Sequence, residues 1–96
     1  MHVVVVGCGR VGSGLAATLV EQGHTVSVID RKATAFRRLP ENFSGDTIVG
    51  VGFDRTRLRA AGIERADALA AVTNGDNSNI LIARTAREFF HVDRVV

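Results

Sequence analysis

The stretch HVVVVGCGRVG, residues 2–12, decides the fold. His2 to Val6 are almost all β-branched and do not alternate with polar residues, so they read as a strand buried on both faces, at the centre of a parallel sheet. Gly7, Gly9 and Gly12 then spell GxGxxG between that strand and the head of a helix. In this setting the first glycine makes a tight turn, the second lets a phosphate approach the backbone, and the third lets helix and strand pack closely. Free N–H groups and the helix dipole favour an anion at the same place.

The rest of the chain repeats this alternation. Val11 to Gln22 carries Val11, Leu15, Ala16, Leu19 and Val20 at helical spacing, with Gly23 placed as a left-handed cap. Thr25 to Ile29 is a second strand ending in Asp30, and Phe36 and Leu39 mark a short helix that Pro40 ends. Thr47 to Val51 is a third strand. Asp54 is placed to cap a helix that turns Leu58 and Ala61 inward and closes at Gly62. Ala68 to Thr73 is a fourth strand. A helix over 78–90 follows, with Ile80, Leu81, Ala83, Ala86 and Phe90 as its apolar residues and Asp76 or Asn77 as its cap. Arg94 to Val96 opens a fifth strand, where the chain stops, as in a shortened domain. Strands and helices alternating over short loops predict a three-layer, Rossmann-like, doubly wound α/β fold, one domain over 1–96.

Composition narrows the function classes. The chain has 96 residues, 46% of them hydrophobic and 23% charged, an ordinary globular balance. A net charge of +2, arginines spread along the chain, and no Trp or Tyr argue against nucleic acid. No apolar run approaches a membrane span or a signal peptide, and one cysteine, Cys8, suits a reducing compartment. His2, His24 and His91 are scattered, so no metal site is expected, and no nucleophile with a base, hence no enzyme, emerges.

Asp30 lies roughly 20 residues past Gly12, where a carboxylate accepts both hydroxyls of a ribose and repels a 2′ phosphate, disfavouring NADP. Capping of the next helix is its alternative use. Arg31 reads as a phosphate or adenine contact or as a solvated side chain. Arg10 places a guanidinium beside the turn, for a third phosphate, a neighbouring subunit's ligand, or a surface ion pair. Cys8 reads as a small filler of a tight space, a helix-start thiol of lowered pKa being the alternative.

These motifs, with GVGFD at 50–54, LRAAGIERADALAAVT at 58–73 and GDNSN at 75–79, resemble the N-terminal RCK domain (regulator of K⁺ conductance) of the TrkA and KtrA class. That resemblance implies a cytoplasmic regulatory subunit, peripheral at the inner face of the cell membrane, binding ATP, ADP or NAD(H). It implies a homo-oligomer, a dimer able to build into a ring, gating an integral membrane potassium transporter by a shift between conformations. Gly7, Gly9, Arg10, Val11 and Gly12 would hold the phosphates, with Cys8 in the same cofactor-binding turn, Asp30 and Arg31 the ribose, Gly50 and Val51 the adenine edge, and Thr73 and Asn74 across the crevice. Val51 departs from the acidic residue common in the family, and Asn77 from its Glu. The rival reading is the cofactor half of an NAD-dependent dehydrogenase.

Overall fold

The computed structural model describes all residues, 1–96. Five strands, β1 (His2–Val6), β2 (Thr25–Asp30), β3 (Asp46–Val49), β4 (Ala68–Ala71) and β5 (Arg94–Val95), form one sheet in the order β3-β2-β1-β4-β5. Every pairing is parallel. Strand order reverses beside β1, which pairs β2 on one side and β4 on the other, and such a reversal opens a crevice at the carboxyl ends of the strands.

The valines of β1 explain why both faces are covered. Val4 and Val6 point into a cluster with Ile29, Leu58, Ile63, Leu69, Ile82 and Ala86. Val3 and Val5 point the other way, into a cluster with Cys8, Ala16, Val26, Val28, Ala35 and Leu39. Each buried valine contributes on the order of 1.5 kcal/mol or more. Helix α1 (Arg10–Glu21) and a 3₁₀ segment, Ala33–Arg38, supply the second face. Helices α2 (Arg55–Ala60) and α3 (Asp76–Arg84) supply the first. No helix is long and apolar enough to cross a membrane.

Local signals account for most boundaries. Asp54 caps α2, its Oδ1 accepting from Thr56 N–H at 2.9 Å and Arg57 N–H at 3.4 Å. Gly23 and Gly62 adopt the left-handed conformation that ends α1 and α2. His2 holds the base of the sheet: its Nε2 donates to the Ala61 carbonyl at 2.8 Å, its Nδ1 lies 2.8 Å from the Thr25 hydroxyl, and its N–H donates to Asp67 Oδ2 at 2.8 Å.

Several expectations need correction. Val11, expected to turn inward, is 67% exposed, because α1 packs through Gly12, Ser13 and Ala16. In α3 the inward position is Ile82, one turn before Ala86, leaving Ile80 and Leu81 exposed. Neither Asp76 nor Asn77 caps α3; Gly75 takes the N-cap without a side-chain bond. The helix expected over 78–90 ends its α-helical part at Arg84 and widens over Thr85–Phe89, where Phe90 N–H donates to the Thr85 carbonyl at 3.3 Å. The third strand ends at Val49 and the fourth at Ala71, so Gly50, Val51 and Thr73 stand beyond the strands on the rim.

The motif's outer glycines are fixed by packing. Gly7 has φ +108°, and a Cβ there would lie 2.8 Å from the Val72 carbonyl, while one on Gly12 would overlap the Gly7 carbonyl. Gly14, by contrast, is exposed in α1, and a Cβ there meets nothing within 4 Å. Gly12→Ala should therefore cost about 2–3 kcal/mol in urea unfolding through overpacking. Gly14→Ala should stabilise by about 0.5–1 kcal/mol by restricting the unfolded chain.

Candidate functional site

A cleft of about 930 Å³ opens at the carboxyl ends of the strands, where the strand order reverses. Three lips enclose it. The first is Gly7, Cys8 and Gly9, where β1 runs into α1. The second is Asp30, Arg31 and Lys32 at the end of β2, with Thr34, Ala35 and Arg38 from the 3₁₀ segment, and beside it Gly50 to Phe53 after β3. The third is Val72 to Gly75 after β4, with Ser78 and Ile82 of α3.

Hydrogen bonds hold these lips in register. Gly7 N–H donates to the Ile29 carbonyl at 2.8 Å, which pins the turn to β2. Asp30 Oδ2 accepts from Cys8 N–H at 2.7 Å and its Oδ1 from Lys32 N–H at 2.9 Å. The Asp30 carbonyl accepts from Gly50 N–H at 2.9 Å, so one residue joins the exits of β1, β2 and β3. Across the cleft, Asn79 of α3 reaches back to Thr73. Its Oδ1 accepts from Thr73 N–H at 2.9 Å and from the Thr73 hydroxyl at 2.6 Å, and its Nδ2 donates to the Thr73 carbonyl at 3.0 Å. Asn79 thus does the work that a capping Asp76 or Asn77 was expected to do, by anchoring the loop rather than the helix end.

The cleft favours an anion. Helix α1 begins immediately after Gly9 and α3 immediately after Gly75, and both glycines line the cleft, so the partial positive ends of two helices open on one space. Arg31, Lys32 and Arg38 line it too, and none is ion-paired, since Arg59 with Glu64 is the chain's one salt bridge. Asp30 is the only carboxylate in the lining. Val51 and Phe53 are 36% and 42% exposed there and offer apolar surface to a planar ring. No group of three or more His, Cys, Asp or Glu residues stands where it could hold a metal ion.

Of the residues singled out from the sequence, the structure brings together Gly7, Cys8, Gly9, Asp30, Arg31, Gly50, Val51, Thr73 and Asn74. Arg10, Val11 and Gly12 fall outside the lining: the side chains of Arg10 and Val11 face solvent, and Gly12 is buried against the turn. Sequence reasoning missed Lys32, Thr34, Arg38, Gly52, Phe53, Gly75 and Ser78. Phe53 and Gly75 sat inside motifs already quoted and could have been found there; Arg38 carried no local signal.

Cys8 is fully buried, and burial pushes its thiol pKa up, with the nearby Asp30 charge adding and Arg38 opposing. This supports the filler reading over a reactive thiolate. Because the folded protein favours the neutral thiol, the associated stability is complete below the ordinary thiol value of 9.0 and is lost as pH rises through the higher folded value. Unfolding midpoints across the alkaline range should therefore fall more steeply in the unsubstituted chain than in Cys8→Ala.

The family model described as TrkA-N domain matches residues 3–96. The Trk system potassium uptake protein TrkA of Streptomyces coelicolor is 61% identical over 95 residues, covering 99% of this chain and 43% of that protein. The chain thus spans less than half the length of this relative. Among solved structures, the Kef CTD of Shewanella denitrificans in its AMP-bound form superposes with a TM-score of 0.78 at 20% identity, over 98% of this chain and 57% of that one. The Bordetella bronchiseptica enzyme WbmH in complex with NAD⁺ gives 0.76 at 22% identity, over 98% and 37%. Those two likenesses establish the Rossmann-like fold, and the family match over residues 3–96 establishes that the chain belongs to the TrkA-N domain family.

Proposed function

We propose that the cleft binds an adenine nucleotide, ATP, ADP or NAD(H), and that the chain is the sensing domain of a cytoplasmic regulatory subunit of a potassium uptake system. The observation that carries the first part is Gly9. Packing alone requires Gly7 and Gly12, but Gly9 has an ordinary φ of −83°, and a Cβ there would meet nothing within 4 Å. Its lack of a side chain serves the open cleft, not the fold. A phosphate drawn up to that backbone meets the first-turn N–H groups of α1, with Arg38 on the flank.

The remaining parts follow from chemistry. Asp30 keeps lone pairs free for ribose hydroxyls beyond its two backbone bonds and repels a 2′ phosphate. Val51 and Phe53 lie against the adenine. Thr73, whose hydroxyl is engaged with Asn79, shapes the rim, and Asn74 and Ser78 face the distal end of the ligand. Arg10, exposed and unpaired beside the mouth, is available to a terminal phosphate or to a second copy of the chain. The potassium role rests on what the relatives are called, and nucleotide-dependent gating requires only that one arrangement of a subunit dimer or ring bind nucleotide better than another.

Calorimetric titration tests the binding site. The chain should bind ATP, ADP and NADH, with NADPH weaker than NADH. Gly9→Asn retains a favoured N-cap residue and so should keep its melting temperature, yet should weaken every nucleotide at least about tenfold. Equal affinities in the variant and the unsubstituted chain would remove the phosphate from this turn. For the regulatory role, ATP and ADP should affect potassium uptake unequally in vesicles bearing the protein together with a potassium transporter; identical uptake with either would contradict it.

A further inference from the structure

Asp30 does more in this structure than wait for a ribose. Its Oδ2 lies 2.7 Å from Cys8 N–H, the short end of the range for a charge-assisted bond, and Oδ1 is fixed 2.9 Å from Lys32 N–H. With both oxygens anchored, the carboxylate is a strut between the end of β2 and the middle of the glycine turn. Cys8 is the residue between Gly7, bent to a left-handed φ, and Gly9, the N-cap of α1. Its side chain is buried in the core, and the Cys8 N–H bond, next to the Gly7 N–H bond to the Ile29 carbonyl, holds the backbone leading into Gly9.

We infer that Asp30 is a positioning residue for the phosphate turn, acting through Cys8 N–H, in addition to contacting the ribose. This rests on the nucleotide reading above, but it makes a separate prediction whose sign is opposite to that of a pure ribose ligand. A carboxylate that served only the ribose would repel a phosphate chain, so removing it would leave unchanged, or tighten, the binding of a polyphosphate that has no ribose. A carboxylate that holds the turn open for phosphate would, when removed, weaken that same binding.

Tripolyphosphate is the probe, titrated calorimetrically beside ATP into the unsubstituted chain, Asp30→Ala and Asp30→Asn. Asn retains an acceptor for Cys8 N–H but carries no charge. Tripolyphosphate should weaken about tenfold in Asp30→Ala, the loss of one charge-assisted bond, and should bind Asp30→Asn at least as well as the unsubstituted chain. Exchange of the Cys8 amide hydrogen in the ligand-free protein should quicken in Asp30→Ala and stay slow in Asp30→Asn. Asp30→Val, which also withdraws the acceptor and suits the end of a strand, replaces Asp30→Ala should that variant fail to fold. Tripolyphosphate affinity that is equal or tighter in Asp30→Ala, with ATP weaker, overturns the positioning role and leaves the nucleotide site intact. Binding of neither ATP nor tripolyphosphate by the unsubstituted chain overturns the nucleotide reading itself, and this inference with it.

Discussion

Helix α1 begins where it does because Gly12 has no side chain: its Cα lies so close to the Gly7 carbonyl that a single methyl group would overlap it. That approach brings the helix start onto the end of β1 and points its free N–H groups at the crevice. The requirement propagates outward. Gly7 must take a positive φ to make the turn beneath Gly12, and the backbone of Val72 passes so near Gly7 that β4 can lie beside β1 only if Gly7 too lacks a Cβ. The close packing of β1, α1 and β4 around the cleft depends on these two contacts.

A crevice between strand ends collapses or gapes unless its lips are tied. Two side chains of similar shape do this from opposite sides. The Asp30 carboxylate bridges the glycine turn and its own strand exit, and the Asn79 carboxamide encloses Thr73 by bonding its N–H, its hydroxyl and its carbonyl. Both sit outside the apolar clusters, so the polar ties that hold the lips are distinct from the core packing, although Val6, Cys8, Ile29, Ala35 and Ile82 serve both the core and the cleft wall.

Much of this was legible before the coordinates. The valines of β1 cannot alternate inward and outward, so the sheet had to be covered on both faces; Asp54 and Gly62 bracket α2 by chemistry that acts over a few residues. What failed was the choice among adjacent apolar residues. In Ile80, Leu81 and Ile82 three neighbours point in three directions around a helix, and composition cannot say which meets the sheet; packing of Ile82 under the Gly52 backbone decided it. Arg38 and Lys32 were invisible for another reason: the last residue of the 3₁₀ segment and the residue that caps its start both reach the cleft, a tertiary placement with no periodic signature. Arg10 was legible as a neighbour of the motif, but the first turn of α1 carries its side chain outside the cleft lining.

In the proposed binding mode, nucleotide occupies this cleft with its phosphates at Gly9 and its adenosine end between Asp30 and Phe53. Backbone amide shifts in ¹⁵N spectra of the chain, followed as ADP is added, test it most directly. The largest changes should fall at Gly9 to Gly12, at Asp30 to Lys32 and at Gly50 to Phe53, with His2, Ala61 and Asp67 at the opposite end of the sheet unmoved. Changes centred on that opposite end, or none at saturating ADP, would contradict it.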